Sequence, residues 1–268
     1  MSPLATVIAV AAVFSAFAWI ASLITGDTSQ VDRLWSIVPV LYVWIIALKA
    51  HESKSRLIAM AVLVTAWGIR LTFNFARKGG YRGVEDYRWA VLRSQMSSWQ
   101  YQIFNLFFIV IYQNTILVLI TLPTLTAFNH QNRRYSSVDT FLIISFIVLL
   151  VGETIADQQQ WNFYRERERL NNLGSTDHPK FLTSGLFRFS RHPNYFFEQA
   201  QWWVVYAFGA YSASRLFTWT IIGPILLTIL FIGSTRFTEQ ISVGKYPEYS
   251  QYQRRTSAVI PWFPKQNK

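Results

Sequence analysis

The chain has 268 residues, of which 51% are hydrophobic, 17% aromatic and 15% charged, and its 25 Lys and Arg against 14 Asp and Glu give a formal net charge of +11. That charged share lies well below the quarter usual in soluble domains and disfavours a water-soluble fold. The absence of cysteine excludes disulfides, thiolate metal sites and cysteine nucleophiles, and His51, His130, His178 and His192 are too scattered for a metal cluster of the usual spacing, so no metal is expected.

Apolar runs at about 3–25, 35–50, 56–76, 101–128, 138–156, 194–213 and 215–234 have spanning length or close to it. They predict an all-α integral membrane protein of about seven transmembrane helices, one membrane domain over 1–268. The first run has no positive segment ahead of it and no clear cleavage site before Gly26-Asp27, so it reads as a helix rather than a signal peptide. The sixth carries Glu198, Gln199 and Gln201. A helix that polar at membrane depth normally faces a cavity rather than lipid.

Seven spans put the two termini on opposite sides. Arg33, five cations in 77–93, six in 165–191 and six in 236–268 then share the C-terminal side; Lys49, Lys54, Arg56, Arg133, Arg134 and Arg215 lie on the other, and Arg70 falls inside the third span. The positive-inside rule places the N-terminus outside and the C-terminus in the cytosol. The basic charge is thereby a sign of topology, and the expected partners are membrane lipids rather than nucleic acid.

The residues suited to chemistry follow in chain order. The second span opens VDRLWSIVPVLYVW. There Asp32 either complements a helix N-terminus or reaches into a cavity, where apolar surroundings let a carboxyl keep a proton for a substrate. Arg70 lies mid-helix in the third span, where a functional site is the default expectation and snorkelling toward Arg77 and Lys78 the alternative. The loop that follows combines Gly79-Gly80, Arg82, Glu85-Asp86, Arg88 and Trp89, which suits either close backbone approach to a phosphate or a plain re-entrant turn.

The fifth span ends GETIADQQQWNFYRERERL, with Glu153 and Asp157 one turn apart on a face continued by Gln160 and Tyr164. Two acids so placed repel unless they bind something. Arg165, Arg167 and Arg169 alternate with Glu166 and Glu168, the pattern of an exposed, self-compensating helix from which one arginine can still meet a phosphate. In Ser190-Arg191-His192-Pro193-Asn194-Tyr195 a cation, an imidazole and an amide surround the proline that opens the sixth span. That is an anion site in outline, set against an alternative in which Pro193 only caps the helix and Arg191 snorkels.

The segments VDRLWSIVP, RLTFNFARKGG…EDYRWA, AD…Q, SGLFRFSRHPNYFFE and GKYPEYSQYQRRTSAVIP resemble the steroid 5-alpha-reductase C-terminal family, in particular its short bacterial-type branch once known only as a domain of unknown function. The resemblance covers most of the chain. Sterol reductases and isoprenylcysteine carboxyl methyltransferases share its RHPNY-like motif and its Glu…Tyr…Tyr…Pro tail. It implies a seven-helix fold whose cytosolic half, about 138–268, encloses NADPH and whose membrane half, about 1–128, opens laterally to a lipid-like substrate.

By that resemblance Asp157, Arg191, His192, Asn194, Tyr195, Glu239, Tyr246 and Tyr249 look like cofactor-pocket residues, with Arg77, Arg82 and Arg165 as phosphate partners. Asp32 stands where the steroid reductases have a glutamate that engages the substrate carbonyl, and Trp67 stands where they have its partner tyrosine, a departure from the steroid 3-ketone pattern. The expected activity is NADPH-dependent reduction of an activated carbon–carbon double bond in a steroid-like or isoprenoid enone, with Asp32 or a tyrosine such as Tyr42 as the acid. The expected location is a bacterial inner membrane or the endoplasmic reticulum. An S-adenosylmethionine-dependent methyltransferase acting on a lipid or prenylated substrate shares these motifs, and a non-enzymatic lipid-binding protein is the third alternative. Eleven Lys and Arg in 77–93 and 165–191 favour the cofactor that carries an extra phosphate.

Overall fold

A computed structural model describes residues 1–51, 54–175 and 178–265, so Lys268, one of the cations of the C-terminal side, lies outside the described residues. Those residues form helices and loops, with one isolated parallel bridge between Ser190 and Ser257. Helix α1 (Pro3–Thr25) starts where the Ser2 side chain accepts from the Ala5 N–H at 3.2 Å and Pro3 needs no partner of its own. It stops at Gly26, whose φ of +69° only glycine adopts at little cost.

Helices α2 (Gln30–Leu34), α3 (Val38–Leu48) and α4 (Ser55–Arg77) follow. Gly79, at φ +87°, donates to the Ala76 carbonyl and Gly80 to the Phe75 carbonyl, so the glycine pair closes α4 with a Schellman motif. Asp86 caps α5 (Tyr87–Ser94), and Ser97 with Gln100 forms a capping box on α6 (Ser98–Phe104). A π-helical stretch, Asn105–Tyr112, leads from α6 into α7 (Gln113–Asn129). The chain ends with α8 (Ser137–Asn172), α9 (Pro193–Ser212), α10 (Ile222–Lys245, entered through a 3-10 turn at Trp219–Ile221) and α11 (Tyr249–Arg255).

Each of the seven apolar runs contains helix, and among the described residues five helical stretches are long and apolar enough to cross a membrane: Pro3–Thr25, Ser55–Arg77, Ser98–Asn129, Ser137–Asn172 and Trp219–Lys245. Helix α3 has 11 residues, a rise of about 16 Å against a hydrocarbon core of about 30 Å. Helix α9 is continuous over 20 residues, with Glu198, Gln199 and Gln201 set into its apolar sequence. Helix α8 runs well past the apolar run because its charges pair along the helix: Arg169 reaches Glu166 at 2.7 and 2.8 Å, and Arg165 reaches Glu168 at 3.5 Å. Such exposed pairs add only a few tenths of a kcal/mol each.

The chain divides into two compact units, Met1–Phe146 with Trp202–Leu227, and Ile147–Gln201 with Thr228–Lys268. The first is built on close backbone approach. A Cβ added to Gly68 would stand 2.6 Å from the Ser36 carbonyl oxygen, and one added to Gly209 would stand 2.6 Å from that of Pro123. Arg56 and Asp139, both buried, pair in the same unit, and the guanidinium also takes the carbonyls of Arg133 and Arg134 at 3.1 and 3.0 Å. In the second unit the Phe197 ring lies over Gly152, joining α8 to α9, and Tyr195 meets Phe231 edge to face at 4.7 Å, joining α9 to α10.

Two glycine substitutions should act in opposite directions. Gly209→Ala pushes a methyl into the Pro123 backbone, which has nowhere to go, and should cost about 1–3 kcal/mol. Gly233→Ala meets nothing within 4 Å and should gain up to about 1 kcal/mol from helix propensity. Thermal unfolding in mild detergent should show Gly209→Ala melting below wild type and Gly233→Ala at or above it; equal melting would refute the α7–α9 approach.

Candidate functional site

The second unit gathers its polar residues around one ion pair. Pro193 opens α9 without needing a donor, and the residues before it lie extended against the C-terminal tail. The Arg191 N–H donates to the Ser257 carbonyl at 2.8 Å, His192 N–H to Ala258 at 3.0 Å and Ser190 Oγ to Val259 at 2.7 Å. The Arg191 guanidinium grips Glu239 of α10 through Nε at 2.6 Å and Nη2 at 2.9 Å, while Nη1 donates to the carbonyls of Gln253, at 2.9 Å, and Thr256. Four of its five donors are thereby used. Glu239 also accepts from Gln253 Nε2 at 2.8 Å and lies 3.1 Å from His192 Nε2.

Aromatic rings pack about this pair. The His192 imidazole stacks on Tyr195 at 5.2 Å. Phe181 packs against Tyr246, Tyr249 and Tyr252 at 6.3, 4.9 and 5.7 Å. Burial, then the nearby Glu239 carboxylate, pushes the Tyr249 phenol well above its ordinary pKa; burial does the same to Tyr252, whose hydroxyl donates to the Phe187 carbonyl. Arg191, His192, Tyr195, Glu239, Tyr246 and Tyr249 thus share one cluster.

The other expected cofactor residues are placed differently. Asn194 is half-buried one residue into α9, and its carboxamide makes no hydrogen bond among the described residues. Asp157 is buried on α8, as is Glu153, which accepts from Gln201 at 2.6 Å. Arg165 is exposed on α8. Arg77 and Arg82 belong to the first unit, where Arg77 donates twice to Asn74 at 2.9 and 2.8 Å and Arg82 is exposed.

A groove of about 420 Å³ runs between α8 and the 178–185 loop, with Gln159, Asn162, Arg167, His178 and Ser184 among its lining. The loop serves both features: Pro179 and Leu182 line the groove while Phe181 packs into the tyrosines.

In the first unit Asp32 accepts from the Trp89 indole N–H at 2.8 Å. Around it the 27–33 segment is laced to the loop after α4. Glu85 accepts from the Thr28 N–H and hydroxyl, both at 2.9 Å, and from Arg93 at 2.6 Å; the Asp86 N–H donates to Ser29 Oγ at 2.9 Å; and Arg33 donates to the Gly80 carbonyl at 3.0 Å. Trp89 is itself buried among Ala18, Val31, Ile109 and Val110. Burial, then the neighbouring Asp86 carboxylate, pushes the Asp32 pKa above the ordinary carboxylate range.

Tyr42 and Trp67 occupy the packed interior of α3 and α4. The Ser36–Thr72 and Trp44–Thr65 hydrogen bonds, at 2.7 and 2.9 Å, set the antiparallel register of the two helices and bring Tyr42 and Trp67 to one depth. Both are fully buried, and among the described residues neither the Tyr42 hydroxyl nor the Trp67 indole N–H has a partner. Trp67 meets Trp202 edge to face at 4.9 Å, and that indole N–H is unpartnered too, as are the amide oxygens of buried Gln113 and Asn114. Buried polar atoms left this way call for a water or a ligand. A second groove, of about 440 Å³, opens along α3 and α4 over Ser36, Val40, Thr65, Gly68 and Thr72.

The sequence reading overlooks several of these residues. Gln253 emerges only as a partner of Glu239, across 14 residues of chain, and Trp89, already singled out in its loop, turns out to meet Asp32 across 57. Gln113 and Asn114 carry a readable signal, two adjacent amides inside an apolar run, of the kind used for Glu198 and Gln201.

The family described as "Protein of unknown function (DUF1295)" matches residues 18–256. "Uncharacterized protein C594.04c" of Schizosaccharomyces pombe is 41% identical over 259 residues, covering 91% of this chain and 75% of that protein. No solved structure gives a significant match.

The raised pKa of Asp32 has a consequence for stability. The folded carboxyl holds its proton to higher pH than the unfolded one, so its contribution favours the fold at low pH and is lost as pH rises through the folded pKa. Asp32→Asn removes that titration while keeping an acceptor for Trp89. Wild type should therefore lose melting temperature relative to Asp32→Asn as pH rises from the ordinary Asp value of about 4 through the folded pKa. Parallel curves across that window would contradict it.

Proposed function

The chain belongs to the DUF1295 family, and we propose that it is a membrane reductase that uses NADPH to reduce an activated carbon–carbon double bond in a lipid-like enone, steroid-like or isoprenoid. In this reading, which follows the resemblance to the steroid 5-alpha-reductases, it crosses the membrane seven times, α3 and α9 completing the five long spans. Its N-terminus is then outside and its C-terminus cytosolic, in keeping with the sorting of loop cations.

The observation that carries this proposal is the single cluster of Arg191, His192, Tyr195, Glu239, Tyr246 and Tyr249, six residues that the family resemblance assigns to the cofactor pocket, drawn from three separate sequence segments. The surrounding residues suit a dinucleotide. Asn194 keeps both a donor and an acceptor, and Arg167 in the α8 groove, with one N–H given to the Lys180 carbonyl at 2.9 Å, has further N–H groups for phosphate oxygens entering there. When bound, NADPH supplies a hydride to the beta carbon of the enone.

The remaining tasks fall to the chain. Arg191, its donors spent on Glu239 and the tail, positions the pocket wall rather than holding a phosphate. In the first unit the Tyr42 hydroxyl and Trp67 indole N–H, buried at one depth, are unspent donors for a substrate carbonyl oxygen, and polarising that oxygen activates the beta carbon. Asp32 serves as the acid, since burial lets its carboxyl hold a proton that a surface aspartate would lose.

The protein purified in nanodiscs should bind NADPH more tightly than S-adenosylmethionine, by calorimetry or thermal shift, and Asn194→Ala should weaken that binding by about 1–3 kcal/mol. Preference for S-adenosylmethionine would turn the proposal into a lipid methyltransferase. Binding of neither would leave a lipid-binding protein.

A further inference from the structure

Beyond α11 the chain bends back on itself through Thr256–Lys265 and bears Ile260, Trp262 and Phe263 at 67%, 71% and 77% exposure. Large apolar side chains so exposed are costly in water, yet this segment is firmly fastened. Besides the bonds from Ser190, Arg191 and His192, the Trp262 N–H donates to the Phe189 carbonyl and the Lys265 N–H to that of Arg255, both at 2.9 Å, and Phe263 meets Phe189 edge to face at 6.0 Å. The strap therefore presents its three apolar side chains outward from a fixed backbone. Arg188, Arg254, Arg255 and Lys265, all exposed, flank it.

We propose that the strap is a membrane-interface anchor: Ile260, Trp262 and Phe263 seat among lipid headgroups, and the flanking cations contact anionic ones. Three observations commit it to the bilayer. The first is depth. The strap is tied through Arg191 to Glu239, three residues past Arg236, the first charge on α10 after its apolar run. That is about 4.5 Å of helix rise, within the roughly 5–7 Å headgroup layer on each side of the hydrocarbon core. The second is backbone economy. Pro261 and Pro264 have no N–H, and those of Trp262 and Lys265 are already bonded, so the tip brings few open donors into a poorly hydrated layer.

The third is charge with aromaticity. Tryptophan beside Arg and Lys is the composition favoured where hydrocarbon meets headgroup. A second copy of the same surface would set these four cations against four like charges, which disfavours self-association here. The strap also supplies the carbonyls that hold Arg191, so the anchor and the wall of the proposed cofactor pocket are one piece of backbone.

The chain has no cysteine, so single nitroxide labels need no background removal. Ile260→Cys and Phe263→Cys would be labelled in nanodiscs, with Val148→Cys, exposed in the apolar run of α8, as the lipid reference and Asn172→Cys, exposed at its end, as the water reference. Oxygen against water-soluble nickel chelate should place both strap labels nearer the Val148 value than the Asn172 value. Adding anionic lipid should drive the Phe263 label deeper, and Arg254→Gln, Arg255→Gln and Lys265→Gln together should abolish that shift. Strap labels as open to nickel as Asn172 would overturn the anchor. Labels shielded from both reagents would overturn it in favour of a protein partner or second copy, and an anionic-lipid shift that survives the triple substitution would overturn the role given to the cations.

Discussion

The second unit depends on Arg191 and Glu239 neutralising each other out of water. Each side chain is 9% exposed, and taking two charges that far from solvent costs more than their attraction returns unless further hydrogen bonds complete both groups. Here they do: the guanidinium adds two tail carbonyls, and the carboxylate adds Gln253 and His192. Removing either partner would strand a buried charge, typically a loss of about 3–5 kcal/mol. Through this pair the start of α9, the polar end of α10 and the tail beyond α11 hold a common geometry, and the tyrosines, Phe181 and the strap take their places from it. Arg56 and Asp139 do the same work in the first unit, where the pair and its bound carbonyls fasten the start of α8 to the start of α4.

Helix positions were legible because apolar length is a one-dimensional signal, and stops at Gly26 and Gly79-Gly80 are written in local chemistry. The ends were less so. Helix α3 falls short of its apolar run at 35–50 because Trp35–Ile37 turn between α2 and Val38, whereas the extension of α8 past its apolar segment was legible in the alternation of Arg and Glu over 165–169, whose pairs three residues apart continue the helix. The glycine pair suggested either approach to a phosphate or a turn. Its amides are spent closing α4.

For the site, residue types were legible but pairings were not. The motif around His192 and the tail tyrosines stood out as separate segments, but nothing in the spacing says that Arg191 meets Glu239 across 48 residues or that Asp32 meets Trp89 across 57. Such contacts are set by helix packing, which a single sequence does not encode locally. The pairing changes the chemistry assigned to Arg191. A cation with four donors committed has little left for an anion, whereas Arg165, one of the phosphate partners implied by the resemblance, is exposed.

The first unit offers buried polar atoms that have no partner among the described residues, in an apolar setting, and the second a polar and aromatic cluster at the ends of its helices. Single-turnover mixing of the nanodisc-embedded protein with NADPH, S-adenosylmethionine and a lipid extract separates a reductase from a methyltransferase and from a lipid-binding protein, with nicotinamide absorbance followed alongside mass spectrometry of the lipids. The account predicts loss of NADPH absorbance matched by an enone lipid that gains two hydrogens. Unchanged NADPH and lipids, or a lipid that instead gains a methyl group from S-adenosylmethionine, would contradict it.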